Sequence, residues 1–171
     1  MNIHNRNNGF TLVELVTVIV LLGVLSVTAA PKFINFQDDA RASTHVATAS
    51  AFKSAINLVH TMWQIRGGGG AVDEFDIYGQ GTNKIDINSN GWPAQSWNGQ
   101  PEASPSLGNP ADCVSVWNQV LQTDSPRAAS DASQAYIASY QATGKCTYKL
   151  VEAQELTIKY DSLTGQVLVN Q

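Results

Sequence analysis

Charge is scarce in this sequence and missing altogether from one part of it. Asp, Glu, Lys and Arg make up 14% of the residues, and none of them lies between Leu15 and Ala30. Acids outnumber bases by 14 to 10, which gives a formal net charge of -4 and a pI near 5.2. No basic patch offsets that balance, so nucleic acid is not expected as a partner. Histidine and cysteine are rarer still, with three and two copies. His4 sits in a polar leader, and His45 and His60 are too far apart along one helix to share a metal ion without outside ligands. No serine or cysteine has a histidine at a spacing that makes a nucleophile and base pair. The sequence therefore points away from an enzyme and implies no cofactor.

What is present begins with MNIHNRNNGFTLVELVTVIVLLGVL. From Phe10 to Ala30 the only charge is Glu14, and the run approaches the roughly 20 apolar residues that cross a hydrocarbon layer about 30 Å thick. Arg6 and the amino terminus precede it, so the positive-inside tendency keeps the leader cytoplasmic and sends the residues after Lys32 across the membrane. A cleaved signal peptide fits poorly. Pro31 follows the small residues Ser26 to Ala30 at once, where a signal protease needs adaptable backbone. A carboxylate at membrane depth also costs about 2.5 to 3.5 kcal/mol on insertion scales, and a cost of that size suggests a use. The plain alternative is an interfacial acid that snorkels to water.

Gly9-Phe10-Thr11-Leu12-Val13-Glu14, followed by an apolar run containing Gly23 and Pro31, resembles the leader and N-terminal helix of type IV prepilins and type II secretion pseudopilins. The resemblance implies cleavage after Gly9 by a membrane-embedded prepilin peptidase and N-methylation of the new terminal Phe10. It also gives Glu14 a partner. An α-amino group at Phe10 has an unperturbed pKa of about 7.7 to 8.0 and is cationic. Residues 10 and 14 share a helix face, so Glu14 would meet that amine within one subunit or on a neighbour. The family implies the neighbour, which makes Glu14 an assembly residue that sets register between apolar helices.

After Pro31, Phe52, Ile56, Val59 and Trp63 form one apolar stripe, the mark of an amphipathic helix running to about Arg66. Gly67 to Gly70 end it with a positive-φ cap. A phosphate-cradling reading of those glycines would need a strand before them, and a helix precedes instead. Residues Ala71 to Asn109 read as a long structured loop region with a short strand at Lys84 to Ile87 and the aromatics Trp92 and Trp97. Asp86, Asn88 and Asn90, before Gly91, match the opening of a calcium loop, but Trp97 stands where a bidentate Glu is needed. An Asn-rich turn whose side chains bond their own backbone is the alternative. Asn109-Pro110-Ala111-Asp112 opens a helix at about 110 to 122, with Val114, Trp117 and Leu121 on one face. Residues 125 to 135 are uninformative. From Gln134 the pattern alternates as strands AYIASYQ, KCTYKLV, ELTIKY and QVLVN, separated by turns at Ala142 to Gly144 and Asp161 to Gly165.

Cys113 and Cys146 fall in the exported part, where an even count favours a disulfide, worth about 3 to 4 kcal/mol in the chain-entropy model. Two buried free thiols are the alternative.

The expected fold class is α+β, the pilin fold, with a long N-terminal helix packed on an antiparallel meander. The expected divisions are a leader at 1–9, a transmembrane and assembly helix at 10–31, an amphipathic half at 32–66 and a globular domain at 67–171. Within the family, AAPKFINFQDDAR, GWPAQ and ADCVSVW most resemble a minor or biogenesis pilin of the mannose-sensitive haemagglutinin (MSHA) pilus. The partners this implies are other pilin subunits, the prepilin peptidase and the inner-membrane assembly machinery. The chain would sit in the inner membrane with its C-terminal domain in the periplasm, then in a surface pilus used for adhesion. A secretion pseudopilin is one alternative. A tip subunit stacking sugars on Trp92 and Trp97 is another, of a different class.

Overall fold

The computed structural model of the chain describes residues 9–79, 81, 84–96 and 104–170. The leader residues 1–8 with His4 and Arg6, Trp97, and the side chain of Pro31 lie outside that description. Two compact units divide at Ala40 and Arg41. The helix α1 (Leu12–Ile65), 54 residues long, contributes to both.

In the first unit the large apolar side chains from Leu12 to Val27 are exposed. The 18 residues Leu12–Ala29 are long and apolar enough to cross a membrane, about 27 Å at 1.5 Å per residue. Hydroxyl groups within this stretch are satisfied by the helix itself. Thr17 Oγ1 donates to Val13 O at 2.8 Å, Ser26 Oγ to Leu22 O at 2.7 Å and Thr28 Oγ1 to Leu25 O at 2.9 Å. None of the three then demands a partner from lipid.

In the second unit α1 changes character. Only one stripe is buried, with His45, Ala49, Phe52, Ile56 and Val59 inward and Trp63 half-covered. Gly67 follows with φ 97, the left-handed conformation that ends the helix. Next come β1 (Val72–Asp76), β2 (Lys84–Ile87) and β3 (Pro93–Gln95), an antiparallel sheet in that order. The helix α2 is Pro110–Val120. A second sheet runs β4 (Ala128–Ala129), β5 (Tyr136–Gln141), β6 (Lys145–Leu150), β7 (Ala153–Asp161) and β8 (Gln166–Asn170) in sequence order. β4 pairs parallel with β5, and every later neighbour is antiparallel. The class is α+β.

The start of α2 follows from its first four residues. Asn109 accepts from the amides of Ala111 and Asp112, and Asp112 returns the favour to the Asn109 amide at 3.0 Å, a reciprocal cap with Pro110 inside it. Its buried side chains are Asp112, Cys113, Val116, Trp117 and Val120, with Leu121 beyond the last turn. Val114, expected on the buried face with Trp117 and Leu121, is only half-buried. That face centres on 113, 116, 117 and 120, one residue round from the expected stripe.

An aromatic cluster forms where α1, α2 and the larger sheet meet. Phe52 stacks on Trp117 at 4.8 Å and meets Tyr148 and Tyr160 edge-on at 5.5 and 5.8 Å. Trp117 also packs on Tyr136 and Tyr148. Each polar tip has a backbone partner or a ring. Tyr148 Oη donates to Cys113 O, Tyr160 Oη to Pro93 O and Trp117 Nε1 to Pro126 O, while Tyr136 Oη meets His45 Nδ1. The disulfide Cys113–Cys146 joins α2 to β6 with Cα atoms 5.6 Å apart.

The loop region expected between Ala71 and Asn109 holds more order than its composition suggests. Besides β2 it contains β1 and β3, neither of which reads as a strand. β1 is VDEFD, acidic and broken by a register shift between Val72 and Phe75, and β3 is three residues starting with proline. β4 is likewise too short to leave a pattern. In β8 the expected alternation holds at Val167, which is buried, but Val169 is 41% exposed.

Two outcomes follow. Phe52→Ala, emptying the centre of the aromatic cluster, should cost about 3 to 5 kcal/mol, read as a fall in Tm of the detergent-solubilised chain. His45 is buried, and its pKa is lowered from 6.5, by desolvation first, against the raising effect of the Thr157 and Asn170 carbonyls. The unfolded chain therefore takes up this proton first. Stability should be full above about pH 6.5 and decline as pH falls from there towards the lower folded value, with no further loss beneath it. His45→Gln should remove this part of the pH dependence when Tm is compared between pH 8 and 5.

Candidate processing and assembly site

A helix that starts in an apolar layer has amides in its first turn with no helical acceptor and no water to take their place. Thr11 and Glu14 supply acceptors for two of them. Thr11 Oγ1 accepts from the Glu14 amide at 3.3 Å, and Glu14 Oε2 accepts from the Thr11 amide and from Thr11 Oγ1, both at 2.8 Å. The Leu15 amide closes the turn on Thr11 O at 3.3 Å. This is a capping box, with Thr11 at the N-cap and Glu14 three residues on, its carboxylate at the positive end of the helix dipole.

Gly9 and Phe10 precede the helix and stand in the open, Phe10 at 93% exposure. The helix thus begins two residues later than Phe10. A Cβ built on Gly9 would meet nothing within 4 Å. Nothing within the described chain calls for glycine there.

The carboxylate is placed against Thr11 in the intact chain, in which the nitrogen of residue 10 is still an amide. The T-x-x-E box was open to sequence reasoning, since a hydroxyl residue three before an acid, at the head of an apolar run, is its signature. The resemblance pairs Glu14 with a terminal amine, whereas in the structure its carboxylate accepts from Thr11.

The other singled-out residues are engaged elsewhere. Asp86 Oδ1 accepts from the Glu74 amide at 2.8 Å. Asn88 Oδ1 accepts from the amides of Asn90 and Trp92, and its Nδ2 donates to Ser162 O. Asn90 Nδ2 donates to Leu163 O at 3.3 Å. These are the bonds of an Asn-rich turn docked on the β7–β8 connection. Among the described residues no group of three or more His, Cys, Asp or Glu side chains is arranged to hold a metal ion. Trp92, half-buried, stacks on His60 with ring centres 3.8 Å apart. His60 Nδ1 bonds Gly91 O, so that nitrogen carries the hydrogen and Nε2 accepts from Gln64 Nε2. A Cβ at Gly165, which has φ 70, would fall 2.3 Å from the Trp92 ring, so only glycine fits that close approach. Trp92 is therefore part of the packing and not a free platform.

Residues 4–30 match the family described as the prokaryotic N-terminal methylation motif. Two curated relatives extend the likeness a little further. The chain is 46% identical over 50 residues to the type IV narrow pilus major component of Thermus thermophilus, and 40% identical over 50 residues to the type IV major pilin protein of Myxococcus xanthus. Each match takes in 29% of this chain, and 43% and 23% of those relatives' own lengths. No solved structure matches.

Thr11→Ala should strip the hydroxyl half of the box and loosen the first turn by about 1 kcal/mol. Amides of residues 12–15 should exchange hydrogen roughly fivefold faster in detergent micelles, and Thr11→Ser should restore protection.

Proposed function

We propose that the chain is a structural pilin subunit, cut after Gly9 by a prepilin peptidase, N-methylated at Phe10 and assembled helix against helix into a surface pilus. Before assembly the segment Leu12–Ala29 holds it in the inner membrane, with the disulfide-bonded domain in the oxidising periplasm. The observation that carries this reading is the join between an exposed Gly9-Phe10 pair and the apolar stretch Leu12–Ala29, whose single carboxylate, Glu14, sits in the first turn of the helix. Once the bond is cut, the cation created at Phe10 lies within one turn of Glu14, which can exchange its Thr11 partner for that amine or for a neighbour's. The role is mechanical and not catalytic. The finer assignment, a minor or biogenesis subunit of an MSHA-like pilus serving adhesion, draws on AAPKFINFQDDAR, GWPAQ and ADCVSVW alone.

The N-terminus of protein recovered from membranes and from sheared surface fibres tests this. Methyl-Phe10 is expected in both fractions, and its abundance in the fibres separates a major from a minor subunit. An intact Met1, or a terminus near Lys32, would mean a plain anchor or a secreted domain. A chain lacking residues 1–32 should be soluble and form no fibres, as seen by negative-stain microscopy.

A further inference from the structure

Three turns meet at one end of the second unit, and hydrogen bonds between them fix the floor of a bowl. Asn88 Nδ2 donates to Ser162 O, Asn90 Nδ2 to Leu163 O at 3.3 Å and Ser162 Oγ to Gly144 O at 2.8 Å. The Asn88–Asn90 turn and the β5–β6 turn are thereby tied to the β7–β8 connection. At the other end of the same sheet is the β6–β7 turn, where Glu152 pairs with Arg41 at the start of this unit's helix. The bowl therefore lies far from the point at which α1 enters the unit.

Its volume is about 450 Å³, within the roughly 300 to 1,000 Å³ of small-molecule sites. Leu107, Leu163 and the half-buried ring of Tyr140 give it apolar walls. Its free polar groups are hydroxyls, since nothing among the described residues bonds those of Ser89, Ser106 or Tyr140. None of the described side chains that line it is charged at neutral pH. Two other depressions on the unit differ in this respect, one lined by Arg66 and one by Lys145, Lys159 and Asp161.

One residue of the lining is strained. Thr143 has φ 66, in the left-handed region that a β-branched residue rarely enters and where Asn or Gly is the usual occupant. Folding alone would favour glycine there. Strain kept against that preference is a feature of ligand clamps.

We propose that this bowl binds a neutral saccharide. A sugar ring has an apolar C–H face, which fits the Tyr140 ring and the two leucines, and hydroxyls at its edge, which fit those of Ser89 and Ser106. Thr143 Oγ1 donates to Ala142 O and so is left to accept from a ligand. A charged ligand would lose its hydration here with no opposite charge in the lining. The aromatic platform is Tyr140 and not Trp92, which is stacked on His60. The site belongs to the second unit alone and stands apart from any processing of the N-terminus.

The test is saturation-transfer NMR on the full chain in lauryldimethylamine oxide micelles, a detergent with no sugar headgroup. The probes are methyl β-glucoside, methyl β-galactoside, N-acetylglucosamine and, as the charged comparison, glucuronate, each at millimolar concentration. At least one of the three neutral sugars should receive transfer at its ring protons, and glucuronate should receive several-fold less. Thr143→Gly should weaken that transfer several-fold while raising Tm, which a merely structural residue would not do. Tyr140→Leu, which keeps an apolar side chain where the ring packs on the core, should weaken it too, and Leu168→Ala on β8 should leave it unchanged. No transfer to any neutral sugar, or transfer that both bowl variants leave intact, overturns the site. Equal or stronger transfer to glucuronate overturns the neutral class of ligand.

Discussion

One helix carries two kinds of surface. Over its first turns α1 presents apolar side chains on every face, and over its last turns it buries a single stripe and leaves Lys53, Asn57 and Gln64 to water. A helix can do the first only if no polar group along it is left asking for a partner. Its serine and threonine hydroxyls are turned back onto the carbonyl one turn earlier, and the amides of Thr11 and Glu14 are met by the Glu14 carboxylate and the Thr11 hydroxyl. The carboxylate that looks like a defect in an apolar run is in this respect what lets the run begin cleanly.

The stripe of the second half sets the plan of the other unit. Phe52, Ile56 and Val59 are fully buried and bring α2 and the five-stranded sheet onto one aromatic cluster. Beyond it, His60 and Trp63 reach a second set of contacts, where Trp63 Nε1 holds Gly70 O and His60 is stacked between Trp63 and Trp92. These rings and single hydrogen bonds tie the small sheet to the end of the helix, and its Phe75, Ile85, Ile87 and Ala94 join the same buried core as the large sheet.

The elements with strong periodicity or strong caps were legible in the sequence. The stripe of α1, the Asn109 to Asp112 cap of α2 and the alternation of β5 to β8 each repeat a physical rule over several residues. What escaped reading was short or set by tertiary contact. β1 is acidic, β3 starts with proline and β4 has two residues, so each exists because a neighbour offers hydrogen bonds and not because its own residues prefer a strand. At the N-terminus the residues Gly9, Phe10 and Glu14 stood out from the sequence, but the partner that Glu14 holds in the intact chain did not. That partner is decided by helix-start geometry, which places the acid over the Thr11 amide. Asp86, Asn88 and Asn90, which match the opening of a metal loop in composition, bond backbone groups of β1, of their own turn and of the β7–β8 connection.

The bond between Cys113 and Cys146 spans 33 positions and encloses most of α2, all of β4 and β5, and the start of β6. Tension entering the second unit along α1 and leaving through β8 would run across that bond and bypass the chain between the two sulfurs. At roughly 3.5 Å per extended residue, about 115 Å of slack is withheld from any stretching of the molecule. A domain pulled in flow could shed its outer strands and still keep this enclosed segment untensioned, ready to repack when the load is released.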